Sequence, residues 1–125
     1  MYTIDAVEEM LGEIADEIPG VFFERLNGGV ALLEACKEHP QSRGDLYIMG
    51  EYSVQHGLGR RICLYYGSFM RVYAGAPEEV LRRKLRESLL HELTHHLESL
   101  AGERDLEARD QMELAEYHHA RQKSE

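Results

Sequence analysis

The chain has 125 residues, of which 43% are hydrophobic, and its formal net charge is −9, from 23 acidic and 14 basic residues. This length predicts one domain, residues 1–125, with a modest core. The acidic charge argues against a nucleic-acid or anionic-membrane partner, because such surfaces need basic patches. No stretch approaches the roughly 20 apolar residues that span a bilayer. The N-terminal residues do not show a basic segment followed by an apolar run, so we expect a cytoplasmic protein.

The first third of the chain predicts one helix followed by shorter segments. Apolar residues recur at three- and four-residue steps over residues 4–18, which is the spacing of an amphipathic helix. Thr3 or Asp5 can cap this helix, and the proline and glycine that follow it should end it. After the Asn-Gly-Gly turn at residues 27–29, residues 30–33 are compatible with either a strand or a helical turn.

Two strands and a long helix are predicted next. Residues 45–52 and 61–67 are rich in aromatic and apolar residues, with a glycine-containing turn between them. Pro77 and the acids after it open a helix, because proline suits the first turn and acids suit the positive end of the helix dipole. Gly102 is placed to end that helix, and residues 106–123 have the spacing of another one.

The long predicted helix contains an H-E-x-x-H sequence, His91-Glu92-Leu93-Thr94-His95. This spacing sets two imidazoles one turn apart, where both can bind one zinc ion, and the glutamate between them can act as general base on a metal-bound water. A rotation of about 100° per residue puts His91, His95 and Glu98 on one arc, with Glu92 at its edge. The opposite arc carries leucines at positions 89, 90, 93, 97 and 100. We therefore predict His91 and His95 as zinc ligands and Glu92 as the catalytic base.

A catalytic zinc ion usually takes three protein ligands and one water, so a third ligand should lie downstream. Asp105 is the preferred candidate, because a chain reversal at Gly102 would return it towards the histidines. Glu98 lies on the histidine face, but three ligands along one straight helix converge on an ion less easily, and Glu98 could instead orient a histidine. Glu107 is a further candidate. His96 lies on a different face and is interpreted as a neighbour of the site.

These residues resemble the small bacterial zincin-like metallopeptidase family, which has a minimal version of the matrix-metalloprotease catalytic fold. The resemblance covers most of the chain. It rests on the H-E-x-x-H motif with the extra histidine His96, and on residues 11–26, 50–52 and 61–67. It implies an α+β fold in which a small β-sheet packs on a long active-site helix, with N- and C-terminal helices.

The chain departs from the family pattern just after the motif. In the family an aromatic residue and a glycine typically follow, and an aspartate comes soon after. This chain has Leu97-Glu98 there and reaches a glycine only at Gly102, a delay of about one helical turn. Asp105 matches the family's aspartate if that extra turn is accommodated.

Two functions from different classes follow. The first is a zinc-dependent metallopeptidase that hydrolyses a peptide or protein substrate, which could pair with residues 62–67 if that strand lies at the sheet edge. The second is a zinc-stabilised, non-catalytic protein-binding module, because a domain of this size offers only a shallow cleft. An exchangeable water at the metal would favour the enzyme, and a fourth protein ligand the module. We favour the enzyme, because structural zinc does not need a glutamate directly after the first histidine.

Overall fold

A computed structural model describes residues 2–57 and 59–123, with side chains up to Glu103, as an α+β structure. The elements in chain order are helix α1 (Ile4–Glu17), a 3₁₀ turn (Gly20–Phe23), strands β1 (Gly29–Leu33), β2 (Lys37–Glu38), β3 (Tyr47–Ile48), β4 (Gly50–Gln55) and β5 (Gly59–Tyr65), and helices α2 (Tyr66–Tyr73) and α3 (Glu78–Lys123). The small sheet therefore packs beside one long helix, as expected.

Helix α1 begins and ends close to the predicted positions. The Thr3 hydroxyl accepts a hydrogen bond of 3.1 Å from the Ala6 N–H, which satisfies one of the free donors of the first turn. Its buried side chains share one face and join the core: Val7, Met10, Leu11 and Ile14. The helix therefore closes one side of the core.

The main sheet has three strands in the order β1-β5-β4. β1 runs parallel to β5, and β4 runs antiparallel to it. Residues 30–33, for which the sequence allowed two interpretations, thus form a strand. β5 lies between two neighbouring strands. The prediction that residues 62–67 could offer a sheet edge to a substrate is therefore wrong. The sheet edge beside α3 belongs to β4. Ile62 and Leu64 of β5 are completely buried in the core.

Two elements differ from the predicted strands. Residues 45–52 are divided between β3, which pairs with β2 in a separate two-stranded sheet, and β4. The aromatic segment after β5 turns into helix α2 at Tyr66. Gly67 permits this turn. A Cβ atom there would lie 2.7 Å from the Cys36 backbone nitrogen, so at Gly67 the chain passes too close to the segment after β1 for a larger residue.

Helix α3 supplies the leucine face that the sequence predicts, with two corrections. Its fully buried leucines are Leu81, Leu85 and Leu89. Leu93 and Leu100 are also buried, whereas Leu90 and Leu97 are 40% and 39% exposed, because the core covers a narrower stripe than the predicted arc. No helix in the described part of the chain has the apolar length needed to cross a membrane.

The prediction that Gly102 ends the long helix is wrong, because α3 continues through it to Lys123. A glycine inside a helix costs only about 1 kcal/mol relative to alanine. No proline follows Gly102, and the next residues include good helix formers such as glutamate, arginine, leucine and alanine. The glycine alone therefore does not stop the helix.

Candidate metal centre

The two motif histidines converge on one point at the exposed face of α3. The Nε2 atoms of His91 and His95 lie 3.2 Å apart, and the two rings meet edge to face. Two nitrogen ligands at ordinary zinc distances in tetrahedral geometry are about 3.3 Å apart. The separation of the two nitrogens is therefore compatible with both histidines binding one zinc ion.

Glu92 is buried beside this pair. It is only 5% exposed, and its Oε1 atom lies 4.0 Å from Nε2 of His95. That separation is longer than the about 3.3 Å expected of two ligands on one tetrahedral ion, so in this position the carboxylate would lie beside an ion held by the two histidines. Burial raises the pKa of Glu92, positive charge on His91 and His95 opposes that shift, and the charge of Glu51 adds to it. The group is thus suited to accept a proton.

Within the described side chains, His91, Glu92 and His95 are the one group of three residues that could hold a metal ion. Their potential ligand atoms are all within 4.8 Å of one another. All three residues come from one turn of α3, so the local helix geometry brings them together without help from other elements.

Gly50, at the start of β4, allows the sheet to approach Glu92. A Cβ atom on Gly50 would lie 2.6 Å from Cδ2 of Leu64 and 3.4 Å from Cγ of Glu92. Only a glycine leaves room for the strand to pass over the buried carboxylate at this distance. A glycine within a strand is the sequence signal for such a close approach.

A cleft of about 780 Å³ lies between β4 and α3. Both motif histidines, Glu92 and Glu98 line one wall, and the opposite wall is built from Ile48, Gly50, Glu51, Tyr52 and Val54. A second cavity of about 290 Å³ adjoins it next to His91 and Glu92. The candidate metal centre therefore opens into a groove that runs along the edge of the sheet.

The edge of β4 presents unpaired backbone groups to this cleft. The Tyr65 N–H donates a hydrogen bond of 2.9 Å to the Met49 carbonyl, so in the antiparallel register alternate residues from Met49 onward face β5. The N–H and C=O groups of the intervening residues, Gly50, Tyr52 and Val54, point away from β5. In the described part of the chain, β5 is the one strand that pairs with β4.

His96, the second histidine of the doubled pair, is completely buried and turned away from the metal pair. Its Nε2 atom lies 2.8 Å from the Glu24 carbonyl and its Nδ1 atom 2.9 Å from the Tyr52 hydroxyl. Because a carbonyl only accepts, Nε2 carries the proton and Nδ1 accepts from Tyr52. His96 is thus a neighbour of the site, as expected, but with a buried connecting role that the helical pattern did not indicate.

Arg60 extends this network, and sequence reasoning missed it. Its guanidinium donates to the Tyr52 hydroxyl at 3.0 Å, to the Ser99 hydroxyl at 2.5 Å and to the Glu103 carboxylate at 2.7 Å. Arg60 is only 8% exposed although its side chain is charged. The sequence signal for this role was the position of Arg60 in β5. Side chains of a strand alternate between its two faces, and Arg60 lies on the buried face.

The predicted third ligands are placed as follows. Glu98 lines the cleft, with Oε2 3.9 Å from Nδ1 of His95. Asp105 and Glu107 belong to the part of α3 whose side chains lie outside the described residues. The backbone lacks the expected reversal at Gly102, and ten residues of continuous helix separate His95 from Asp105 by about 15 Å along the axis. The role of Asp105 stays a prediction.

Comparisons with known proteins identify the family of the chain. A model of the zincin-like metallopeptidase family matches residues 32–115. The structure is also similar to that of a conserved hypothetical protein from Thermus thermophilus, with 34% sequence identity and a TM-score of 0.72 over 81% of this chain and 99% of that one. A comparison with curated proteins gives no match. The chain belongs to the zincin-like metallopeptidase family.

Proposed function

We propose that this protein is a zinc-dependent metallopeptidase that hydrolyses peptide bonds. The observation that carries the proposal is the convergence of the His91 and His95 Nε2 atoms, 3.2 Å apart, next to the buried Glu92 carboxylate in an open cleft. A zinc ion bound there would lower the pKa of a coordinated water towards 7 and polarise the substrate carbonyl.

Glu92 is proposed as the general base. Its carboxylate accepts a proton from the attacking water and then donates it to the leaving amine. Because burial raises the pKa of Glu92, its protonated and ionised forms are closer in free energy at neutral pH than those of an exposed glutamate. Proton transfer of this kind usually contributes about 10²–10⁴ in rate.

The substrate is proposed to be an extended peptide that adds to the sheet at β4. The outward backbone groups of Gly50, Tyr52 and Val54 can pair with a peptide main chain, and this edge forms one wall of the cleft that contains the histidines. A peptide so bound would lie across the motif face of α3. This assignment replaces the pairing with residues 62–67 that the sequence allowed.

For the third protein ligand, Asp105 remains the candidate from the sequence. Its participation requires the chain after His95 to depart from the continuous helix, because about 15 Å of helix axis exceeds the reach of an aspartate side chain. Loss of zinc in Asp105→Ala would support this assignment, and retention of zinc would contradict it.

One observation favours a second function, a zinc-stabilised binding module without turnover. The His95 side chain is 48% exposed, and the cleft opens widely to solvent. Such a site excludes water poorly unless the substrate itself covers it. The two functions differ in whether the metal keeps a position for water or is closed by a fourth protein ligand.

Metal content and hydrolysis, measured on the same preparations, test the proposal. Wild type, His91→Ala and Glu92→Gln are purified without a histidine tag, and zinc is measured by plasma mass spectrometry. Hydrolysis is followed with a quenched fluorescent peptide library. We expect about one zinc per chain in wild type and Glu92→Gln, none in His91→Ala, and hydrolysis in wild type alone.

Three results would count against the proposed mechanism or function. Hydrolysis that persists in Glu92→Gln would remove the assigned base. Zinc without hydrolysis, together with an X-ray absorption spectrum that shows four protein ligands, would establish the binding module. Wild type without zinc would contradict both functions.

A further inference from the structure

We infer that Glu98 is a positioning residue that holds the His95 ring through its Nδ1 atom. This inference rests on the proposed metal site and assigns Glu98 a role at the side of the ring opposite the ion. Its carboxylate oxygen Oε2 lies 3.9 Å from Nδ1 of His95, while Nε2 of the same ring faces His91 at 3.2 Å. The two nitrogens of His95 thus face two different groups.

The chemistry of a metal-binding histidine explains why a carboxylate belongs at Nδ1. An imidazole that binds an ion through Nε2 must be neutral, so its one proton is on Nδ1. A carboxylate that accepts this proton fixes the tautomer, limits rotation of the ring and makes Nε2 a stronger ligand. The Glu98 side chain is 70% exposed and is therefore free to rotate the short distance to a hydrogen bond.

The geometry separates this role from direct ligation. Among the described side chains, Glu98 does not join the group of potential ligand atoms that lie within 4.8 Å of one another, so it would have to move further than Glu92 to reach an ion held by the two histidines. Seven residues separate His91 from Glu98, which corresponds to about 10 Å along a helix axis. Glu98 therefore reaches the outer nitrogen of His95 more readily than a point shared by both histidines.

Neighbouring acids of α3 have other partners. Glu87 lies 3.2 Å from the Lys84 ammonium, and Glu103 binds the guanidinium of Arg60 at 2.7 Å. Among the side chains described here, His95 is the one basic group within 4.0 Å of Glu98. Glu98 is therefore available to His95 in a way that the other two carboxylates are not.

Zinc affinity is the first test. Metal-free wild type, Glu98→Ala, Glu98→Gln and Glu79→Ala are titrated with Zn²⁺ against a chromophoric chelator. Glu79 is the matched control, because it is an exposed acid of the same helix, twelve residues before His91. We expect Glu98→Ala to weaken zinc binding about 10–100-fold, as loss of a carboxylate behind a metal-binding histidine does. Glu98→Gln should lose less, because its amide oxygen still accepts, and Glu79→Ala should match wild type in zinc affinity, because Glu79 lies in the first turn of α3, far from the histidines.

The second test measures the tautomer of His95. General destabilisation of the protein would not change this quantity. In the zinc-loaded protein, nitrogen-15 NMR follows the Nδ1–H of each motif histidine. Glu98→Ala should speed solvent exchange of the His95 Nδ1–H and leave that of His91 unchanged. Far-UV circular dichroism of the metal-free variants checks that α3 is intact.

The outcomes separate this inference from the proposed function. Wild-type zinc affinity and unchanged Nδ1–H exchange in Glu98→Ala would overturn the role of Glu98 and leave the peptidase untouched. A Co²⁺ spectrum that shows one ligand fewer in Glu98→Ala would make Glu98 a ligand and also overturn it. Zinc binding without hydrolysis would contradict the peptidase alone, and a wild-type chain without zinc affinity would overturn both.

Discussion

The Tyr52 hydroxyl donates a hydrogen bond of 2.9 Å to Nδ1 of His96, and this contact joins the edge strand β4 to helix α3. His96 in turn donates to the Glu24 carbonyl, and Arg60 donates to the Tyr52 hydroxyl. His96, which directly follows the candidate ligand His95, is thus part of the scaffold. The network therefore links the edge strand β4 to helix α3 next to the motif.

Tyr52→Phe tests this network. It removes the donor to a fully buried imidazole and one acceptor of the Arg60 guanidinium, so we expect a loss of about 1–3 kcal/mol in the free energy of unfolding. Urea denaturation followed by circular dichroism measures it. Tyr47→Phe is the control, because the Tyr47 hydroxyl donates to the Gly44 carbonyl and accepts from Arg71 in exposed contacts only, so its loss should matter little. Equal effects of the two changes would contradict a special role for the buried network.

Gly50→Ala should destabilise the protein and disturb Glu92. The added Cβ would meet Leu64 at 2.6 Å and the Cγ of Glu92 at 3.4 Å, and overpacking of this kind costs about 1–3 kcal/mol. Gly12→Ala is the matched control of opposite sign. Nothing lies within 4 Å of a Cβ atom at Gly12, and alanine in a helix is favoured by about 0.5–1 kcal/mol. Thermal unfolding of both variants measures these effects. An unchanged melting temperature in Gly50→Ala would refute the close approach of β4 to Glu92.

The ion pair of Lys37 with Glu51 predicts a pH-dependent contribution to stability. The hydrogen bond that Glu51 accepts from Lys37 lowers the pKa of Glu51 below the ordinary value of 4.5. A hydrogen bond from Tyr65 adds to this shift. A carboxyl group with a lowered pKa in the folded state stabilises the protein above its unfolded pKa and loses that effect as pH falls through the folded value. Glu51→Gln should therefore be destabilised at pH 7 and converge with wild type at acidic pH well below 4.5, where the Glu51 carboxyl is protonated in the folded state as well.

Urea midpoints at several pH values between these limits measure this convergence. Glu9→Gln, at an exposed position of α1, serves as the control for the loss of one negative charge. A difference between Glu51→Gln and wild type that stays constant down to the lowest pH would show that the ion pair is not its source.

Zinc should stabilise the folded protein through the motif histidines. A ligand that binds only the folded state adds about 4 kcal/mol at a free concentration 1,000 times its Kd. Thermal unfolding with and without zinc should show this shift in wild type. His91→Ala should lose the shift, while Glu92→Gln should keep it, because Glu92 is proposed as the base and not as a ligand. A full shift in His91→Ala would place the metal elsewhere.

The sequence by itself determined the features that depend on local geometry. His91, Glu92 and His95 share one helical turn, so their proximity follows from the 3.6-residue period without knowledge of the fold. The capped helix α1 and the strand at β5 are likewise evident from residue patterns, because the periods of burial and the turn residues are local properties. The family resemblance, carried by the same motif, also came from the sequence.

Tertiary structure alone decided the features that depend on long-range contacts. The order β1-β5-β4 made β4 the edge, and strand order depends on pairing between segments that local patterns do not specify. The burial of His96 depends on Glu24 and Tyr52, which lie 72 and 44 residues away along the chain. The continuation of α3 past Gly102 was misjudged because a single glycine costs less than a continuous helix gains from its neighbours. Spacing within one helix could place the metal-binding pair, but only the packing of distant segments could place the cleft around it.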